Sequence, residues 1–147
     1  MDCRALAGVD VVADLECPLP FQDSSVEAIY SNHTLEHVAD LLGLMEEVHR
    51  VCRPGALVRV QVPYYTSEGA TKDPTHVRAF SEGTFEYFTG RKETGSDYGI
   101  SCRFEIESVK YIYRGIFRYF PCRTWLRRHL WNTVWSMNVV LRVVKDA

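Results

Sequence analysis

The chain contains several short runs of β-branched and apolar residues, and one stretch in which apolar residues recur at helical spacing. Two of the short runs are Val9–Asp14 and Val26–Ser31. Each is bounded by glycine, proline or polar residues, and each predicts a strand. Between positions 41 and 52 the apolar residues recur every three or four positions, which predicts an amphipathic helix with Asp40 as its N-cap. A Pro-Gly pair ends that helix, and Ala56–Val62 follows as a further strand.

The succession of strand, helix and strand predicts a βαβ unit with parallel strands and a right-handed crossover, so the fold class is α/β. Further along, the pattern predicts a strand over Arg103–Tyr113, a helical segment around Thr124–Trp135 and a strand over Asn138–Val144. The apolar positions shift by one near Ser108, which predicts a β-bulge. We expect Asn138–Val144 to pair antiparallel with Ala56–Val62, and the helix to pack on one face of the sheet.

The stretch from position 64 to position 102 is punctuated by glycine and proline, and it predicts a long connection with one short aromatic helix over Ser81–Phe88. Connections of that length are usually functional or mobile. Its aromatic residues either line an acceptor pocket or form a small core under the loop. They are Tyr64, Tyr65, Phe80, Phe85, Tyr87 and Phe88.

With 147 residues, the chain is expected to form a single domain over residues 1–147. A formal net charge of -2 provides no overall attraction to nucleic acid or to an anionic membrane. The apolar runs fall short of the roughly 20 residues that a membrane span needs, and the first residues do not resemble a secretory signal, so a cytoplasmic location is expected. Five scattered cysteines without a Cys-x-x-Cys pair favour small buried thiols.

The segment after Val26–Ser31 contains His33-x-x-Glu36-His37, the spacing with which one class of zinc peptidases holds its metal and general base. That use requires both histidines on one face of a helix. Here the histidines directly follow a strand and precede the N-cap Asp40, so we expect them on a loop. The glutamates that follow offer no distinguishable third ligand. We therefore predict that His33 and His37 do not bind zinc and that the chain has no metal site.

The position of these residues favours a second interpretation, because ligands of open α/β sheets bind at the carboxyl ends of the strands. Asp14 and the pair Asn32-His33 both stand at such ends. A purely structural alternative remains open, in which Asp14 caps a turn and His33 makes a local hydrogen bond.

Five motifs follow one another along the first part of the chain: Val11–Leu15, Leu19–Val26, Leu35-Glu36-His37, Glu47–Gly55 and Val60–Pro63. Together they resemble the S-adenosylmethionine-dependent methyltransferases of the Rossmann-like class I, in the type 11 branch. The resemblance covers about residues 2–63, and Asp73-Pro-Thr-His76 is similar to a later segment of some members. It implies a Rossmann-like sheet that is mostly parallel with an antiparallel last strand, and a small-molecule acceptor.

The same resemblance implies S-adenosylmethionine as the cofactor. Asp14 would accept from the adenine amino group, Leu15 would pack on the adenine ring, and Asp2 would hold the ribose hydroxyls. Asn32 and His33 would face the methionine part and the reacting centre.

Histidine is the side chain able to accept a proton near neutral pH, which makes His33 and His76 the candidate catalytic residues, with His37 as a further candidate. Glu36 is expected to orient a neighbouring side chain rather than to catalyse. Each histidine alone also has a plain hydrogen-bonding or packing alternative.

Members of this family begin with a strand and a Gly-rich turn whose N–H groups contact the methionine end of the cofactor, and this sequence begins after both. We therefore expect an N-terminally truncated sheet, an unpaired edge along Val26–Ser31 that invites self-association, and weak or absent cofactor binding until an upstream strand, turn and helix are restored. The competing function is a non-catalytic methyltransferase-like remnant or interaction module.

The segment Arg114–His129 mixes aromatic residues with five arginines. It suits a phosphate-bearing partner or a membrane surface. The favoured alternative is a helix that packs on the sheet and holds its arginines in solvent.

Overall fold

The computed structural model describes Met1, Cys3 and residues 5–90 and 99–145, and Asp2 lies outside this described part. None of the described helices is both long and apolar enough to cross a membrane. Short 3₁₀ segments occur at Leu35–His37, Tyr87–Thr89 and Gly115–Tyr119. The regular elements in chain order are β1 (Val26–Asn32), α1 (Leu41–Val51), β2 (Cys52–Pro63), α2 (Glu68–Thr71), α3 (Glu82–Glu86), β3 (Phe104–Tyr113), α4 (Arg123–His129) and β4 (Val134–Val143).

The four strands form one mixed sheet in the order β1-β2-β4-β3. β1 is parallel to β2, whereas β4 is antiparallel to both β2 and β3. β1, β2 and β3 therefore run in one direction and β4 alone runs against them. This confirms the predicted α/β class, the predicted neighbours and the antiparallel last strand. The predicted bulge is also present, since the register of β3 shifts between Ile106 and Ser108.

Helix α1 forms where the apolar repeat predicted it. The Asp40 side chain accepts from the N–H of Gly43 at 2.9 Å and caps the helix. The apolar face of α1 packs on one face of β2, and removal of each such side chain from water stabilises the fold by about 1.5–3 kcal/mol. The residues that make this contact are 0–6% exposed: Leu41, Leu44, Met45, Val48 and Val51 on the helix, and Ala56, Val58, Val60 and Val62 on the strand.

The aromatic residues of the long connection extend this core. Phe80, Phe85 and Phe88 are 0–1% exposed and belong to the same apolar cluster as the sheet. Tyr65 and Tyr87 are each 39% exposed. The core alternative therefore holds for the phenylalanines and for Tyr64, which is 2% exposed, whereas Tyr65 and Tyr87 are partly exposed and open to a ligand.

The second face of the sheet stays open in the described part of the chain. Tyr30 is 74% exposed, and Arg59, its partner in the register of β1 and β2, stacks 5.6 Å from the ring centroid. Leu57 and Val140 on the same face are half-buried. β1 pairs with β2 alone among the described strands, which confirms the predicted open edge.

Three expectations, about one strand, one helix and the arginines of α4, are wrong. Val9–Asp14 is irregular chain with one bridging residue, Val12, because a β-branched run forms a strand only beside a hydrogen-bonded neighbour. The helix predicted around Thr124–Trp135 ends at His129, and Trp135 lies in β4. The third concerns the arginines of α4, one of which is buried, as described below.

The exposure of the cysteines also differs from the expected buried thiols, because three of the five are exposed. Cys3, Cys17 and Cys122 are exposed, whereas Cys52 and Cys102 are buried. Burial raises the pKa of Cys102 to about 12 and also raises the pKa of Cys52. We expect an aromatic disulfide reagent at neutral pH to label the first three quickly and the other two only after denaturation. Equally fast labelling of all five would contradict this packing.

Candidate functional site

The carboxyl ends of β1 and β2 lie side by side because the two strands are parallel. Asn32 is the last residue of β1 and its side chain is exposed. His33 follows with φ of 50°, in the left-handed region that a residue other than glycine seldom adopts. Its N–H still donates to the carbonyl of Gln61 at 2.9 Å. The chain thus leaves the sheet abruptly at His33 and presents its imidazole at the strand end.

The His33 imidazole is held at both nitrogens. Its Nδ1 lies 3.2 Å from Oε1 of Glu36, and its Nε2 lies 3.2 Å from the amide nitrogen of Gln61. An amide nitrogen only donates, so Nε2 of His33 accepts and the ring proton sits on Nδ1, from where it is donated to Glu36. Glu36 is only 1% exposed, and its Oε2 has no hydrogen-bond partner among the described residues. Glu36 is therefore a buried carboxylate that orients His33.

The connection after β2 returns to this strand end, where the N–H of Val77 donates to the carbonyl of Glu36 at 2.9 Å. Nδ1 of His37 lies 2.9 Å from the hydroxyl of Thr75, and that hydroxyl donates to Asp73 at 2.7 Å. The single hydroxyl proton goes to Asp73, so the oxygen accepts from His37. His37 therefore carries its proton on Nδ1.

His76 lies beside His37, with 4.7 Å between the ring centroids. Its side chain is 9% exposed, and its Nδ1 lies 3.3 Å from the carbonyl of Ala70, which accepts its proton. Oδ2 of Asp73 is 3.8 Å from Nε2 of His76. Hydrogen bonds from Thr75 lower the pKa of Asp73, so an ionised carboxylate borders the histidine pair.

Asp14 and Leu15 lie in a separate loop. Oδ1 of Asp14 accepts from the N–H of Glu16 at 3.0 Å, which makes Asp14 the cap of a turn. The Glu16 carboxylate in turn accepts two N–H groups at the start of α1, at 2.6 and 3.0 Å. Leu15 is half-buried against the core. Among the described contacts, no hydrogen bond or ion pair joins Asp14 to His33.

A second polar cluster, which the sequence did not indicate, joins α3, α4 and the sheet. Arg127 is 7% exposed and forms an ion pair with Glu82. Its guanidinium lies 4.0 Å from the ring centroid of Tyr111 and donates to the hydroxyl of Tyr64 at 3.1 Å. Both tyrosine hydroxyls donate to Glu82, at 2.8 Å from Tyr111 and 3.3 Å from Tyr64.

Burial and the neighbouring charges set the ionisation of this cluster. Burial raises the pKa of Tyr64 to about 12, and burial together with the Glu82 carboxylate raises the pKa of Tyr111 further. Burial alone would raise the pKa of Glu82, but hydrogen bonds from the backbone, Tyr111 and Arg127 outweigh it and lower that pKa. The cluster borders a cavity of about 440 Å³ lined by Tyr64, Tyr65, Ala79, Ser81, Glu82, Arg127 and Arg128.

Residues 3–60 match a family model described as a methyltransferase domain, of the type 11 family. The matched segment contains the Asp14 loop, β1, the His33–His37 turn, α1 and most of β2. The resemblance identified from the sequence motifs is thereby confirmed, and S-adenosylmethionine is the cofactor that the methyltransferase match indicates.

Solved structures show the same methyltransferase fold. A putative methyltransferase of Haloferax volcanii, solved in complex with the Trm112 methyltransferase activator, has 18% identity and a TM-score of 0.60, with 93% of this chain and 61% of that chain covered. An S-adenosylmethionine-dependent methyltransferase of Archaeoglobus fulgidus has 14% identity and a TM-score of 0.60, with 90% and 66% covered. One of Methanosarcina mazei has 18% identity and a TM-score of 0.57, with 92% and 67% covered.

This chain therefore spans 61% of the length of the Haloferax volcanii methyltransferase. No curated protein matches the chain. The structural likeness, at these identities, concerns the fold.

The fold brings some of the predicted site residues together and leaves others apart. His33 donates to Glu36, and one ligand atom of His76 lies within 4.8 Å of Glu36, whereas Asp14 stays in its own loop. Gln61 and Thr75, which fix the rings of His33 and His37, were not predicted from the sequence. Gln61 carried no sequence signal beyond its place in an alternating strand, whereas Thr75 lies within the Asp-Pro-Thr-His motif.

Proposed function

We propose that this domain transfers a methyl group from S-adenosylmethionine to a small-molecule acceptor. The observation that carries the proposal is the position of Asn32 and His33 at the carboxyl end of a parallel strand, inside the segment that matches the methyltransferase family. Ligands of open α/β sheets bind in that place. Asp73 and His76 lie at the same strand end, because the ring of His76 packs against His37 and Asp73 lies beside His76.

The side chains present suit the cofactor. One oxygen of the exposed Asp14 carboxylate is engaged by Glu16, and the other has no described partner and suits the adenine amino group. Leu15 offers an apolar side chain to the adenine ring, and Asn32 offers an exposed amide to the methionine part. Asp2, proposed for the ribose hydroxyls, lies outside the described residues.

When bound, S-adenosylmethionine supplies an electrophilic methyl group on a positively charged sulfur. The protein must then align the acceptor with that methyl group and, for a protonated acceptor, take up the proton. His33 suits proton uptake once the Gln61 amide has moved away from Nε2, because Glu36 accepts the Nδ1 proton and stabilises the imidazolium that forms. His76 is a second candidate base, with its Nε2 directed away from the Ala70 carbonyl.

The cavity bordered by Tyr64 and Arg127 is the proposed acceptor pocket. Its lining combines aromatic surface with the hydroxyl, carboxylate and guanidinium groups of the polar cluster. Its volume of about 440 Å³ suits a small molecule rather than a polymer.

Cofactor binding is testable by saturation-transfer NMR, which detects weak complexes. With millimolar S-adenosylmethionine, we expect transfer to the adenine protons, and we expect Asp14→Ala to weaken binding about tenfold to a hundredfold, the value of one charge-assisted hydrogen bond. Asp10→Ala, which removes an exposed carboxylate from the same loop region, is the matched control. Absence of transfer, or equal binding by both variants, would refute the proposed adenine contact.

A second candidate function is an interaction module, favoured by the open edge of β1 and by the exposed Tyr30 and Arg59 on the open face of the sheet. An unpaired strand edge is a template for another chain. The proposed partner is a second copy of this chain or another protein. Concentration-dependent self-association without any transfer to S-adenosylmethionine would favour this candidate over methyl transfer.

A further inference from the structure

We propose that Glu36, His37 and His76 form a binding site for a divalent transition-metal ion, with Zn²⁺ as the ion that suits it best. One ligand atom from each residue lies within 4.8 Å of the other two. Glu36 and His37 come from the turn after β1, and His76 comes from the long connection after β2. Two imidazoles and one carboxylate are a donor set that binds zinc in proteins.

The two histidines already have the tautomers that metal binding needs. Nδ1 of His37 donates to the Thr75 hydroxyl, and Nδ1 of His76 faces the carbonyl of Ala70. Each ring therefore presents Nε2 as an unprotonated lone pair. A hydrogen bond from the other ring nitrogen to a polar group is the usual support of a metal-binding histidine, because it fixes both tautomer and ring orientation.

The third donor is a buried carboxylate oxygen that lacks a partner. The Glu36 side chain is 2% exposed, Oε1 accepts from His33, and Oε2 makes no hydrogen bond within the described part of the chain. Leaving a charged oxygen buried without a partner is costly. A cation bound between Glu36 and the two histidines would remove that cost.

The spacing requires a small contraction. Bonds of about 2.0–2.2 Å to zinc place tetrahedral ligand atoms roughly 3.3–3.5 Å apart, so ligand atoms that lie up to 4.8 Å apart must approach by up to about 1.3–1.5 Å. His37 is exposed and can make that movement while it keeps its hydrogen bond to Thr75. Three protein ligands leave the fourth position for water or for a donor atom of the acceptor, and the ionised Asp73 adds negative charge beside His76.

This site differs from the peptidase pattern in the sequence. His33, the first histidine of that motif, has both ring nitrogens engaged by Glu36 and Gln61 and stays outside the cluster. The sequence predicted no zinc because the third ligand was not distinguishable. The structure supplies His76, 39 residues beyond His37, a contact that no local spacing indicates. With a metal bound, Nε2 of His76 is a ligand, and proton uptake in methyl transfer falls to His33, whose Nε2 the Gln61 amide must first release.

The test is a titration of the metal-free 147-residue chain with Zn²⁺ by calorimetry, and with Co²⁺ by absorption. We expect one ion per chain and a tetrahedral Co²⁺ spectrum. His37→Ala, His76→Ala and Glu36→Gln should each weaken binding by about tenfold or more. His129→Ala removes an exposed histidine whose Nδ1 also faces a carbonyl, and should bind like the parent chain.

His33→Ala separates this site from the peptidase pattern, since it should still bind one ion. Because His37 is exposed, His37→Ala should remain folded, which circular dichroism checks. Absence of saturable Zn²⁺ binding, or affinities within about twofold of the parent for both His37→Ala and His76→Ala, would overturn the site. Metal and S-adenosylmethionine binding are measured separately, so either proposal can fail while the other holds.

Discussion

Replacing Glu82 with alanine is expected to lower the free energy of unfolding by about 3–5 kcal/mol, because it leaves the guanidinium of Arg127 buried without its anion. Arg127 is 7% exposed, and its Nε already lacks a hydrogen-bond partner in the part of the chain that the structure describes. The Tyr64 and Tyr111 hydroxyls lose their acceptor in the same variant. Urea denaturation measures the loss as a lower midpoint at an unchanged slope.

The chain provides a matched control in the ion pair of Glu107 and Arg142. The two glutamates are similarly exposed, at 34% for Glu82 and 37% for Glu107, whereas Arg127 is 9% and Arg142 is 43% exposed in the side chain. Glu107→Ala should therefore cost less than about 1 kcal/mol. A double variant, Glu82→Ala with Arg127→Met, should recover part of the loss. Similar losses for the two single glutamate variants would refute the role of arginine burial.

The ion pair of Glu82 and Arg127 makes the stability of the folded state depend on pH in a defined direction. The pKa of Glu82 is lowered in the folded state, so the ionised form is the one that the fold stabilises. That contribution is complete above the ordinary pKa of a glutamate and is lost as the pH falls through the lowered folded value. The difference in stability between the parent chain and the Glu82→Ala variant should therefore shrink in acid.

Phe80→Ala is expected to destabilise the fold by about 3–5 kcal/mol, the usual cost of deleting a buried ring. Phe80 is fully buried and stacks on Phe85 with 5.7 Å between centroids. Its carbonyl also accepts from the N–H of Tyr65 at 2.9 Å, which fastens the long connection to the end of β2. The loss should therefore also loosen the segment that holds His76.

Denaturation of Phe80→Ala and of Tyr119→Ala gives the comparison. Tyr119 is 73% exposed, so its replacement should change stability by less than about 0.5 kcal/mol. A loss below about 1 kcal/mol in Phe80→Ala would show that the aromatic cluster is not part of the main core.

The features predicted from the sequence are those that local patterns determine. The helix cap at Asp40 and the bulge at Ser108 follow from a few neighbouring residues, and both are present. The failure at Val9–Asp14 has the opposite cause, because β-branched residues specify a strand only when another strand supplies the hydrogen bonds.

The candidate site was only half predictable for the same reason. The strand-end position of His33 follows from the local pattern, and the resemblance to methyltransferases pointed to the same residues. The approach of His76 to Glu36 depends on how a connection of nearly forty residues folds back. The burial of Arg127, in α4, depends on Tyr111 of β3. Neither contact has a signature in nearby residues.

The central place of β4 in the sheet has a consequence for folding during synthesis. Val139 pairs with Val60 on one side and with Val109 on the other, so β2 and β3 have no common neighbour until β4 is made. Contacts between residues as far apart in sequence as Val60 and Val139 form slowly. While β4 is still being made, that edge of β2 is unpaired, and we expect the nascent chain to bind holdase chaperones during that interval.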